Sequence, residues 1–137
     1  MEPTKIDFRH RRIAQMADLT DLVEMLFPGN RNQQHAAARI LLALKASDGL
    51  VASLSFLERD HEISRRTLQR TRAKLARLGL IDRISWMNSR YGGREGWKLS
   101  GKMSTALRGL ADWIDGWRKD LRPGRAMKDE QLVGLLG

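Results

Sequence analysis

The chain has no cysteine, which excludes disulfide bridges, thiolate metal sites and thiol redox sensing, and leaves the compartment unassigned by that route. It also lacks long apolar runs. None approaches the length that spans a bilayer, and the basic N-terminal segment (Lys5, Arg9, Arg11, Arg12) leads into no signal-like apolar core. Acid is scarce: 16 Asp and Glu stand against 25 Lys and Arg, for a formal charge of +9. A field of that sign attracts nucleic acid or an anionic surface before any specific contact forms, and charge alone does not choose between them. The 18 Arg against 7 Lys suit phosphate and guanine edges, although the base composition of the gene produces the same bias. His10, His35 and His61 stand far apart in sequence, and the one acid-histidine cluster, "ERDHE" (58–62), reads as a polar helix end and turn. The sequence therefore offers no catalytic residue, metal site or cofactor motif. The expectation is a soluble, cytoplasmic, nucleoid-associated protein that is not an enzyme, built as one compact domain or as one domain with a helical extension.

What is present is helical periodicity. Ile13, Met16, Ala17, Thr20, Val23 and Phe27 recur at helical spacing, widened by Leu19, Leu22 and Leu26. They predict one helix from about residue 7 or 12 to Phe27, stopped by Pro28-Gly29-Asn30. A second helix, with Asn32 as its cap, places Ala36, Ile40, Leu41 and Leu44 on a broad apolar face and ends at the Asp48-Gly49 turn. Leu50-Val51 is a strand fragment, and a short helix from Ser53 to Asp60 points Leu54 and Leu57 inward. "LIDRISWM" and "GWKLS" are β-like and flank a turn-rich basic tip at 88–95, with Trp86 and Trp97 expected to pack at the hairpin base. Met103, Leu107, Leu110, Ile114, Trp117 and Leu121 then form a stripe of two to three heptads, enlarged by Trp113. After Arg122-Pro123-Gly124, "RAMKDEQLVGLLG" is either a mobile tail or a short docked helix.

The stretch "ISRRTLQRTRAKLARLGLI" (63–81) carries six basic residues and no acid. Ser64 is a good N-cap, Gly79 supplies the stop, and Leu68, Thr71, Leu75 and Leu78 share one side. Arg66, Arg70, Ala73 and Arg77 then point away from that side, with Gln69 and Lys74 on the flanks. A helix that is merely solvated mixes acids with its bases for i,i+4 pairing, so this one accepts self-repulsion that phosphates would relieve. Arg72 breaks the pattern by leaning toward the buried side, where it either pairs with Glu58 or Asp60 or snorkels to solvent.

Residues Leu50 to Ser100 resemble a winged helix-turn-helix. "ISRRTLQRTRAKLARLGLIDRI" is similar to a capped recognition helix ending Leu-x-x-Leu-Gly-Leu-Ile ahead of the wing, and "WKLSGK" is similar to the wing strand and helix start of MarR-type regulators. The resemblance runs over about residues 12–121 and departs at "ERDHEIS", where Glu62 takes the place of the usual turn glycine. It implies a mainly α fold with a small β-hairpin wing. It further implies an N-terminal arm and dimerisation helix (1–30), a DNA-binding domain (31–100), a C-terminal dimerisation helix (101–121) and a tail (122–137). The expected function is double-stranded DNA binding by a homodimeric transcriptional regulator, with room for a small-molecule effector of unspecified identity.

In that reading Arg65, Arg66, Gln69 and Arg70 read bases in the major groove. Ser64, Thr67, Lys74 and Arg77 meet the backbone, and Arg90 and Arg94 of the tip meet the minor groove. Met103, Leu107, Leu110, Ile114, Trp117 and Leu121 would form the dimer seam. A basic "FRHRR" segment is either a DNA-grasping arm or a disordered terminus. A replication or plasmid-partition initiator module, or a winged-helix module that docks protein, are the alternatives.

Overall fold

In a computed structural model, which describes residues 5–87 and 89–137, the stripe expected to form one N-terminal helix is divided into α1 (His10–Ala14) and α2 (Leu19–Leu26). The break comes from Asp18. Its backbone is extended, its carboxylate accepts from the Asp21 N–H at 3.2 Å, and the Asp21 carboxylate accepts from Asp18 N–H at 3.2 Å and Ala17 N–H at 3.0 Å. This reciprocal capping box satisfies N–H groups that a new helix start leaves open, and it outweighs the apolar periodicity running across it. Ile13 is consequently half-exposed, while α2 buries Val23, Met25 and Leu26.

The central helix α3 (Arg31–Ala46) begins two residues earlier than a cap at Asn32 predicts, because Asn30 rather than Asn32 accepts from the Gln33 N–H at 3.0 Å. It buries Ala36, Ala37, Ile40, Leu41 and Leu44, as its stripe predicts, and packs on α2. Each buried Ile or Leu contributes about 2 kcal/mol of apolar transfer. After α3 the chain makes the Asp48-Gly49 turn, and Val51 forms a single antiparallel bridge to Trp97 with N–H···O bonds of 2.9 and 2.8 Å. The short α4 (Phe56–Asp60) follows, with Leu54 and Leu57 both buried.

The turn into the basic helix is resolved at Glu62. Its φ of 53° makes it the one non-glycine residue in the left-handed region among the described residues. A side chain there costs on the order of 1–2 kcal/mol, which explains why glycine is the easier choice at such a turn. Ile63 then plugs into the core, Ser64 caps, and α5 (Arg65–Leu78) runs to Gly79, whose φ of 86° lets its N–H return to the last carbonyls of the helix. α5 packs on α3 and is followed by β1 (Ile81–Ile84) and β2 (Gly96–Leu99), antiparallel in the register Ile81↔Leu99 to Ile84↔Gly96. A one-turn 3₁₀ segment at Ser89–Tyr91 shapes the loop between the strands. Gly96 is required where β2 meets Val51, because a Cβ there would stand 2.6 Å from the Val51 carbonyl oxygen.

The described residues up to Lys102 form one unit and Met103–Gly137 a second. Helix α6 (Lys102–Lys119) starts at that boundary, where the Lys102 ammonium meets the Asp82 carboxylate at 2.8 Å. The segment that the sequence left as tail or docked helix is α7 (Pro123–Gly134), opened by proline in its first turn. It is tied to α6: the indole N–H of Trp117 donates to Asp129 at 2.8 Å, and Arg125 reaches the same carboxylate at 3.4 Å. In the connecting turn Arg122 grips Asp120 with two hydrogen bonds, which hold that carboxyl down to about 2. No helix among the described residues is long and apolar enough to cross a membrane.

Candidate nucleic-acid interface

Helix α5 presents its charges as the wheel requires. Leu68, Thr71 and Leu75 are buried, and Arg65, Arg66, Gln69, Arg70, Ala73 and Arg77 are exposed. Among the described residues, none of Arg65, Arg66, Arg70 and Arg77 has an ion pair. At the helix start the Ser64 hydroxyl accepts from the Thr67 N–H at 3.1 Å and donates to the Thr67 hydroxyl at 2.8 Å, so both side chains are engaged with each other. Inside the helix the Thr71 hydroxyl is fully buried and has no hydrogen-bond partner among the described residues.

Three expectations for this region are corrected. Lys74, expected on the flank of α5 and against phosphate, is turned onto the protein's own backbone. Its ammonium donates to the carbonyls of Leu26 and, at 2.8 Å, Lys5, and lies 4.4 Å from the centre of the Phe27 ring. Two unpaired carbonyls near the end of α2 offer a cation a better site than solvent. Burial, and secondarily the charge of Arg77, lowers the Lys74 pKa from its ordinary value.

Arg72, second, has no ion pair with Glu58 or Asp60 among the described residues. Its guanidinium stacks over the Trp97 ring at 4.8 Å, and Arg83, the cross-strand partner of Trp97, approaches the same ring at 5.6 Å. Cation–π contacts of this kind contribute about 0.5–1 kcal/mol each and pin α5 to the hairpin. Third, Trp86 does not pack beneath the hairpin: it is 64% exposed, beyond the end of β1 where no neighbouring strand covers it.

The tip residues are placed individually. Arg90 lies exposed in the 3₁₀ turn. Arg94 is exposed as well, and its Nε donates to the Tyr91 carbonyl at 3.3 Å, which folds the side chain back along the loop. The "FRHRR" segment is committed to α2: Arg9 pairs with Asp7 at 2.8 Å, Arg12 with Glu24 at 2.6 Å, and the Asp7 N–H donates to the Met25 carbonyl at 2.9 Å. The fold brings His35 against His61, rings edge-to-face at 6.3 Å, but among the described residues no group of three or more ligating side chains is arranged to hold a metal ion.

In the second unit Leu107, Leu110, Trp113, Ile114, Trp117 and Leu121 are all exposed, and Met103 alone of the predicted seam is buried. Trp113 and Trp117 stack in parallel, centroids 6.4 Å apart. Met127, Leu132 and Val133 of α7 add exposed apolar surface that the sequence reading did not include. No protein family, curated protein or solved structure compared with this chain matches it.

Proposed function

We propose that the chain is a homodimeric winged-helix protein of the MarR-like type that binds duplex DNA and regulates transcription. The observation that carries this reading is the outer face of α5, where Arg66, Arg70 and Arg77 are exposed without an acidic partner among the described residues. Arg bridges guanine O6 and N7 in the major groove, Gln69 suits adenine, and the small Ala73 allows close approach. Arg65, Arg66, Gln69 and Arg70 are the proposed base readers, Arg77 a phosphate anchor, and Arg90 and Arg94 the minor-groove contacts. Lys74 is withdrawn from that set, since its ammonium already serves backbone carbonyls. The bridge from Val51 attaches the hairpin to the segment after α3, and the contact of Arg72 with Trp97 attaches it to α5, as a wing needs.

The apolar stripe of α6, widened by α7, supports the dimer. A contiguous exposed face with two stacked tryptophans is what association buries. Two-fold symmetry would set two α5 helices about one DNA turn, near 34 Å, apart and select a pseudo-palindromic site. Salt-titrated binding to random duplex tests the reading: affinity should fall steeply, with a log-log slope of about 0.9 per neutralised phosphate. Absence of binding at low salt would refute it. Sedimentation should give a dimer at micromolar concentration, and replacing Trp113 and Ile114 together by Glu should give a folded monomer; a wild-type monomer would remove the two-half-site geometry.

A further inference from the structure

A pocket of about 380 Å³ opens between the turn after α3 and the hairpin loop, away from the residues assigned to base reading. We propose that it binds a small phosphorylated molecule, held by its phosphate. Lys45, Arg94 and Lys98 line it together with Asp48, Gly49 and Tyr91, so that three cations face one carboxylate. None of these four charged groups has an ion pair among the described residues. A groove beside α1 shows the contrast. It too is lined by arginines, but there Arg9 is paired with Asp7 and Arg12 with Asp21 and Glu24, which leaves Arg31 as the one arginine of its lining without an ion pair among the described residues.

Of the three cations, Arg94 is held in place by the loop itself. The Tyr91 carbonyl accepts from both the Arg94 N–H at 3.1 Å and its Nε at 3.3 Å, which leaves the Nη groups of the guanidinium for a ligand. Arg94 Nη1 lies 4.0 Å from where a Cβ on Gly49 would stand, which places the guanidinium beside the turn that follows α3. The Lys98 ammonium lies 5.7 Å from the centre of the Tyr91 ring. Like charges gathered on one concavity repel, and a phosphate dianion relieves that repulsion while taking charge-assisted hydrogen bonds from Arg and Lys. Leu50 and Leu99 supply an apolar wall for the organic part of the ligand. The volume falls within the roughly 300–1,000 Å³ of small-molecule sites.

The same chemistry would suit a backbone phosphate of DNA, and the experiment separates the two sources. Amide NMR spectra of the full chain, without DNA, are titrated with adenosine 5′-monophosphate, inorganic phosphate and adenosine. Saturable shifts at Gly49, Leu50, Tyr91 and Arg94 with the monophosphate, weaker ones with phosphate and none with adenosine are expected. Arg94→Gln should weaken the monophosphate at least tenfold. Lys45→Gln, on the exposed surface of α3 where folding is not at risk, should weaken it several-fold. No shift at these amides, shifts confined to α5, or shifts unchanged in both variants would overturn the proposal. So would a Lys45→Gln protein that loses salt-dependent DNA affinity while the wild-type chain ignores the monophosphate, because the phosphate would then be DNA's. The titration uses no DNA, so it succeeds or fails independently of the DNA-binding reading.

Discussion

Replacing Lys74 with methionine separates a structural cation from a DNA-facing one. In the wild type the Lys74 ammonium donates to the Lys5 and Leu26 carbonyls and covers the Phe27 ring. A hydrogen bond from a charged donor contributes about 1.5–3 kcal/mol and a partly exposed cation–π contact about 0.5–1 kcal/mol. Against these stand the desolvation that lowers the Lys74 pKa and the stem packing that methionine keeps. The expected net loss is about 2 kcal/mol, or a fall of about 1 M in the urea midpoint at a typical slope for a domain of this size. Under conditions where both proteins are folded, the salt dependence of DNA affinity should be unchanged in Lys74→Met. Arg77→Ala should do the reverse: stability within about 0.5 kcal/mol, as for an exposed helix position, and a salt slope lower by about 0.9 per protomer. A Lys74→Met variant that keeps its stability and loses as much slope as Arg77→Ala would refute the reasoning, because the ammonium would then leave the carbonyls and reach phosphate.

Arg70→Ala should relax base preference in a selection on random duplexes, costing about 1–3 kcal/mol at one position, whereas Arg94→Ala should weaken all sequences evenly; equal small effects would contradict the groove assignment. Thr71→Val should raise the urea midpoint by the equivalent of about 1 kcal/mol, since it removes a buried hydroxyl that has no partner and keeps the β-branched shape; a lower midpoint would mean the hydroxyl is satisfied. Asp82 is held below its ordinary 3.8 chiefly by the hydrogen bond from Lys102. Its folded pKa is depressed, so its contribution is present above that value and is lost as pH falls through the folded pKa. The stability gap between wild type and Asp82→Asn, under about 1 kcal/mol for a pair this exposed, should therefore close in strong acid, and a gap that persists there would point to another cause.

Features determined by neighbours along the chain were legible in the residues. Ser64 and Gly79 bound α5 because capping acts within a turn, and the Leu68–Leu75 spacing decided which arginines face out. The same local logic, read incompletely, misplaced two boundaries: Asp18-x-x-Asp21 is itself a capping box, and Asn30 lies two residues before Asn32 as a rival cap. The two strands were legible as β-like segments, but β1 ends at Ile84 rather than Met87, and the register that sets Arg83 opposite Trp97 came from the fold.

The sequence by itself determined helices α3 and α5 with their core stripes and an exposed basic face on α5, because periodicity and capping are properties of a few consecutive residues. Tertiary structure decided what the flanks of that helix do. Lys74 and Arg72 are both cations on α5, yet one meets carbonyls 48 and 69 residues away and the other a tryptophan on a strand. The helical wheel sets both apart from Arg70, Lys74 on a flank and Arg72 toward the buried side, but it does not say what either one meets. A side chain's partner depends on which distant backbone or ring the fold brings within a few ångströms, and a flexible cationic stem takes the nearest site that offers lone pairs or a π face.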